Sequence, residues 1–330
     1  MNKTNPKNLL FISLGFITTS IYAQIDTTYI APYKQQYAAK IYFEKNFFTL
    51  NYQEKTDKIQ SFEPNSPILI GLGFSWKNSS LNYSYGFDFM TDKTKGYSKS
   101  RSLQYHHYGE RFILDLYALK SQGFYQENKD TSIALFPELS TKLYGVFGQY
   151  VFNHQHFSFG AAFNQNKRQL QSAGSWLIGI NAYAANINNA LENYNTKAQR
   201  SFLIGPNVGY AYTWVINSFW FISGTATFGL NGVFQNQDEE KMQKITISPL
   251  AFTRYSVGYN AEQWTLNLTA IKNSFFTSTS DNITYSMHPG NIQLNFIYRF
   301  SLKKEISFLK GDLNFSRFRN NNQIESKKTL

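Results

Sequence analysis

From about residue 40 onward, apolar residues recur at every second position, so each segment has one apolar face and one polar or small face, the pattern of a half-buried strand. Ile68, Ile70, Leu72, Phe74 and Trp76 alternate with Leu69, Gly71, Gly73 and Ser75. After Lys77-Asn78-Ser79-Ser80 the phase resumes, with Leu81, Tyr83, Tyr85, Phe87 and Phe89 set against Asn82, Ser84, Gly86 and Asp88. Polar turn formers between two such runs predict a hairpin. The same alternation runs through 208–216, 264–270 and 292–300, and it fits further strands near 47–53, 111–124, 141–153, 156–165, 174–186, 219–228 and 245–259. The count is roughly twelve, an even number in the range of bacterial outer-membrane barrels. Only Ile187–Ala198 has a helical look, and its asparagines weigh against a helix.

Alternation alone also suits a soluble sandwich. Three features favour an all-β, antiparallel transmembrane β-barrel. Aromatic residues stand near the strand ends (Trp76, Tyr83, Trp214, Tyr259, Trp264, Tyr298, Phe300), where a ring with a polar tip meets lipid headgroups. The opposite face is rich in Gly, Ser, Asn, Thr and Gln, which suits a wet or hydrogen-bonded lumen and would be costly in a dry core. Short turns at 77–80, 217–218 and 260–263 alternate with long polar loops at 91–110, 187–200, 235–244 and 273–289, the asymmetry expected of periplasmic turns and external loops. An even count puts both termini in the periplasm. Residues 125–140 are long where a short turn is due, and Asn153–His156 are short where a long loop is due. Either a strand between 91 and 140 goes unrecognised or the periplasmic side carries an insertion.

Composition narrows the class. The 330 residues include 30 Phe, 23 Tyr and 5 Trp but no Cys, which removes disulfides, thiolate metal sites and thiol nucleophiles. Residues 1–23 carry Lys3 and Lys7 ahead of an apolar stretch and end in Ala23, the form of a secretory signal peptide. Its removal takes the formal charge from +11 to +9. Residues 24–300 make the barrel, and 301–330 read as a charged periplasmic extension, with Lys303, Lys304, Lys310, Arg317, Arg319, Lys327 and Lys328 against Glu305, Asp312 and Glu325. The basic residues form no stripe, so nucleic acid is not expected as a partner.

The block 152–175, with Phe157-Ser158-Phe159-Gly160-Ala161-Ala162-Phe163 and Gln171-Ser172-Ala173-Gly174-Ser175, resembles a family of uncharacterised outer-membrane β-barrel proteins found widely in Bacteroidetes. Asp26-Thr27-Thr28-Tyr29-Ile30, Gly123-Phe124-Tyr125, Gly205-Pro206, Gly209-Tyr210 and Gly258-Tyr259-Asn260 resemble it too. The resemblance implies a fold and a location and no activity. It also implies a basic residue where Gly160 stands.

No catalytic, cofactor or metal site is expected. His154 and His156 project from one side of an extended chain, but two ligands with no nearby carboxylate are too few for zinc. His106 and His107 stand near Ser100, Ser102, Glu110 and Arg111 without a nucleophile motif, His288 stands alone, and neither a nucleophile elbow nor a phosphate loop occurs. The expected protein is a non-enzymatic outer-membrane barrel, either a narrow pore or a structural or interaction barrel, with lipid and the barrel-assembly machinery as partners. The rival readings are an outer-membrane hydrolase with a lumenal or rim site and a secreted soluble β-protein.

Overall fold

The computed structural model describes residues 25–54, 58–86, 91–128, 132–188, 199–235, 244–279 and 283–303. The signal segment, nearly all of the 301–330 extension, and the greater part of 187–200 and 235–244 lie outside the described residues. Along the described chain run strands β1 (Ile30–Pro32), β2 (Tyr37–Glu54), β3 (Gln60–Phe62), β4 (Ile68–Trp76), β5 (Ser79–Gly86), β6 (Lys99–Tyr108), β7 (Phe112–Glu127) and β8 (Ile133–Val151). They are followed by helix α1 (Phe159–Phe163), β9 (Lys167–Gln169), β10 (Ala173–Asn188), β11 (Gln199–Val215), β12 (Trp220–Gln235), β13 (Lys244–Asn260), β14 (Trp264–Thr279) and β15 (Ile283–Phe300).

Twelve of these strands close into one antiparallel ring, in the order β2, β4 to β8, β10 to β15, with β15 pairing back onto β2 from Phe300↔Tyr37 to Ile283↔Glu54. Closure leaves no unpaired edge, the condition on which strands survive in lipid. A crossing takes about 9–11 residues. β4 and β6, with 9 and 10 residues, just suffice and the 8 residues of β5 fall one short, whereas β7 and β8, with 16 and 19, run on past them.

Most of the long strands keep the alternation. On β11, Ser201, Leu203, Asn207, Ala211 and Thr213 are buried in the lumen, while Phe202, Val208, Tyr210, Tyr212 and Trp214 face out. All five tryptophans, at 76, 176, 214, 220 and 264, stand at the strand ends that carry the tight turns, an aromatic girdle on the rim shared with both ends of the ring.

Several expectations are corrected. Residues 91–110 are not one long loop, since β6 occupies half of them and turns tightly through 109–111 into β7. Residues 273–289 are likewise mostly strand, because β14 runs to Thr279 and β15 starts at Ile283. The long connection at 125–140 is taken up by the ends of β7 and β8. The strand near 156–165 is a helix instead: Ser158 caps it by accepting from Ala161 N at 3.1 Å, and Phe159, Gly160, Ala161 and Ala162 are all buried. The missed strand and the false one cancel, so the count remains twelve. The helical reading of 187–198 fails at its start, where Ile187 and Asn188 belong to β10, and its remainder lies outside the described residues.

The insertion spans 152–172 and lies at the end of the ring where β2 starts and β15 ends. It pairs with the N-terminal segment through β1 and β9, from Ile30↔Gln169 to Pro32↔Lys167. Together they insert into the barrel mouth, and Phe157, Phe159 and Ala162 pack with Tyr108, Ile113, Leu177 and Ala211 of the wall. A second apolar cluster fills the far half of the lumen with Phe48, Leu50, Phe62, Phe124, Leu143, Leu203 and Phe275 among its members. There β3 pairs with β2 above the short strands, and Glu63 bridges to Tyr125 of β7.

Candidate functional site

Between the two apolar clusters lies a charged layer. Asp115 on β7 and His106 on β6 are direct cross-strand partners with both side chains inward, and His106 Nδ1 contacts Asp115 Oδ1. Tyr108, two residues along, donates to the same oxygen at 2.6 Å. From the opposite wall, Arg254 of β13 reaches across and its Nη2 donates to Asp115 Oδ2 at 2.9 Å, while Nη1 donates to the Tyr108 hydroxyl. Asp115 and Arg254 are 4% and 5% exposed, which makes this a buried ion pair that spans the barrel.

Aromatic rings enclose the guanidinium. Its carbon lies 5.3 to 5.7 Å from the ring centres of Phe252, Phe163, Phe159 and Tyr108, within the range of a cation–π contact. Two of these rings belong to α1, so the charge from the wall also fastens the insertion in the lumen. Gly160, where the resemblance implies a basic residue, is buried in α1, and a side chain there would run into Asn166. Beside the layer is a cavity of about 80 Å³ lined in part by His106, Asp115, Tyr183, Phe252 and Arg254, room for a few waters at most.

Other polar groups knit the walls together. Glu44 of β2 accepts from Asn291 and Gln293 of β15 at 3.3 Å each, across the seam that closes the ring. Gln149 donates to Asn207, Asn207 to Asn181, and Asn181 to Asn231, an amide chain along the inner face of β8 to β12. At the mouth that holds the insertion, Arg299 is buried at 2% exposure, its Nη2 on Thr265 Oγ1 at 2.6 Å and Gln165 O at 3.0 Å, with its guanidinium over the Tyr33 ring.

The histidines singled out in the sequence come to no common site. His106 joins the charged layer, whereas His107 faces the other side of β6 and meets Ser79 Oγ at 3.0 Å. Ser102 accepts from Gln104 and Ser100 lies by Ser66 and Ser121, so neither pairs with a histidine. Glu110 lies 3.7 Å from Lys167 of β9. His154 and His156 sit in the base of the insertion, the first on Phe152 O, the second on Asn153 Oδ1 and 3.6 Å from Asp26. Thr28 donates twice to the Asp26 carboxylate and holds it below its usual range. His288 faces outward between Ser274 and Ser286. Among the described residues no three His, Asp or Glu side chains gather as a metal site would need.

Asp115 and Arg254 escaped the sequence reading. Their signal was a lone charge in the inward phase of a strand, within Ile113-Leu114-Asp115-Leu116 and Thr253-Arg254-Tyr255.

The family described as a domain of unknown function, DUF4421, matches residues 24–300. No curated protein matches the chain. Among solved structures, the outer-membrane OmpT of Vibrio cholerae is similar at 9% identity, with 82% of this chain and 100% of that one covered and a TM-score of 0.29. The β-domain of the Bordetella autotransporter BrkA aligns at 13% identity over 80% of this chain and 100% of that one, with a TM-score of 0.38. The toluene transporter TodX of P. putida aligns at 4% identity, over 81% and 91%, with a TM-score of 0.28.

Proposed function

We propose that this chain, which belongs to the DUF4421 family, is a stoppered, non-enzymatic barrel of the outer membrane, a structural or interaction protein rather than an open pore. The observation that carries the reading is the Arg254–Asp115 ion pair, which crosses the lumen at 2.9 Å and holds α1 beneath it. An ion moving along the axis would have to break a buried charge pair and displace apolar clusters on both sides of it. Catalysis is a poor fit to the same layer, because Asp115 is saturated by His106, Tyr108 and Arg254 and the adjoining cavity holds little more than water. Function then resides on surfaces, with outer-membrane lipid around the wall and the barrel-assembly machinery as the partner that inserts it.

Planar-bilayer recording tests the reading. The full chain is expected to insert without conductance steps, and so is a variant with 156–169 replaced by a short Gly-Ser linker, because the Arg254–Asp115 pair and the far apolar cluster stay in the lumen. Steady conductance by the full chain would overturn it. Recovery of the protein in the aqueous fraction of lysed cells would overturn the membrane placement itself.

A further inference from the structure

The outer wall carries three cations in one cross-strand row. Arg101 of β6 is the direct partner of Lys120 of β7, and Lys120 is the direct partner of Lys142 of β8. All three lie on the outward phase of their strands, with Leu103, Leu116 and Val146, each exposed, on the same face nearer the tryptophan rim. Directly opposed residues hold their side chains about 5 Å apart at the Cβ atoms, and like charges so placed repel. Nothing in the wall relieves that repulsion, for among the described residues none of the three forms an ion pair, and Arg101 has only the Tyr85 ring at 5.8 Å.

The level of the row is fixed by β6, which is just long enough to cross a bilayer and has Arg101 two residues from its far end. The cations therefore sit where the wall leaves the hydrocarbon on the side away from the termini, beside the exposed rings of Tyr85 and Tyr144. Basic residues at that level are attracted by anionic lipid headgroups. We infer that Arg101, Lys120 and Lys142 form a binding site for the phosphate groups of a lipid in the outer leaflet. Doubly phosphorylated headgroups match a row of three cations, with the acyl chains lying along the apolar wall below. The inference rests on the membrane placement proposed above.

The test uses the purified full chain in dodecyl maltoside micelles, titrated with bisphosphorylated lipid A while the heat-unfolding midpoint is followed. The expected result is a saturable rise of several degrees, with an apparent affinity at least tenfold weaker in the triple variant Arg101→Ser, Lys120→Ser, Lys142→Ser. The lipid-free triple variant should unfold no lower than the parent, since the repulsion has been removed. If the triple variant does not assemble, Lys120→Gln alone carries the test, with a severalfold loss expected. Equal binding by parent and variant overturns the site, and so does an equal response to dephosphorylated lipid A. A matching response to inorganic phosphate at the same concentration overturns the lipid assignment. A chain that remains soluble and folded without detergent would sink the membrane placement, a failure separable from all of these.

Discussion

Arg254 and Asp115 hold each other at 2.9 Å from strands five steps apart around a ring of twelve, so that one ion pair ties opposite walls of the barrel together. Removing one partner from a buried pair strands the other charge, at a cost of about 3–5 kcal/mol. The two halves are unequally insured. Without Arg254, Asp115 keeps His106 and Tyr108, whereas without Asp115 the guanidinium keeps only rings and one hydroxyl. Asp115→Ala should therefore destabilise more than Arg254→Met, and the double variant should lose less than the sum of the two. Urea unfolding of the three variants in micelles measures this, and strict additivity would mean that the pair is not coupled.

The faces of β14 make a second prediction. Leu268 is 45% exposed on the outer face of the ring, while Asn267 beside it is 2% exposed and donates to Ser256 Oγ at 3.2 Å. Leu268→Arg places a cation against hydrocarbon at a cost of about 2–4 kcal/mol. Asn267→Ala loses a neutral hydrogen bond, at about 1 kcal/mol. Unfolding from lipid vesicles should rank them in that order, and the reverse order would mean that the faces are exchanged. Asn267→Arg, which a roomy lumen would accept, is expected to harm this packed one.

Where both faces of a strand were chemically distinct, the fold was legible. β11 and β15 alternate cleanly because their outward face is apolar and their inward face is largely small or hydrogen-bonded. β6 was missed because its outward face is mixed: Ser100, Ser102, Gln104 and His106 line the lumen, while Lys99, Arg101 and His107 share the outward positions with Leu103 and Tyr105. Period-two reasoning has little to grip on there. Phe157–Phe163 failed for the opposite reason, since a short helix buried on all sides is apolar throughout and cannot be told from a strand by its pattern. The charged layer needed the fold itself, because Asp115 and Arg254 lie 139 residues apart and meet only when the ring closes.

Topology can be read chemically because the chain has no cysteine of its own. Asn128, exposed between β7 and β8, belongs to the end expected outside, and Glu262, exposed between β13 and β14, to the end that carries the termini. Asn128→Cys should react with an impermeant maleimide on intact cells, and Glu262→Cys only after the cells are opened. The opposite labelling would invert the barrel.

Two glycines test how tightly the lumen is packed. Gly145 of β8 faces Tyr117 of β7 in register, and the tyrosine ring lies where a Cβ on residue 145 would stand. The same ring is 5.9 Å from Tyr183, so it has little freedom to swing aside. Gly145→Ala must therefore push Tyr117 out of its rotamer, at about 1–3 kcal/mol, the ordinary cost of overpacking. Gly224 is the control, for it faces outward and a methyl there would meet only the Tyr255 ring at 3.6 Å, an ordinary contact. Gly224→Ala should be within a few tenths of neutral. Combining Gly145→Ala with Tyr117→Leu should recover much of the loss, because the smaller side chain vacates the space that the methyl needs. Equal stability of Gly145→Ala and Gly224→Ala in the same urea titration would mean that Tyr117 does not lie over Gly145.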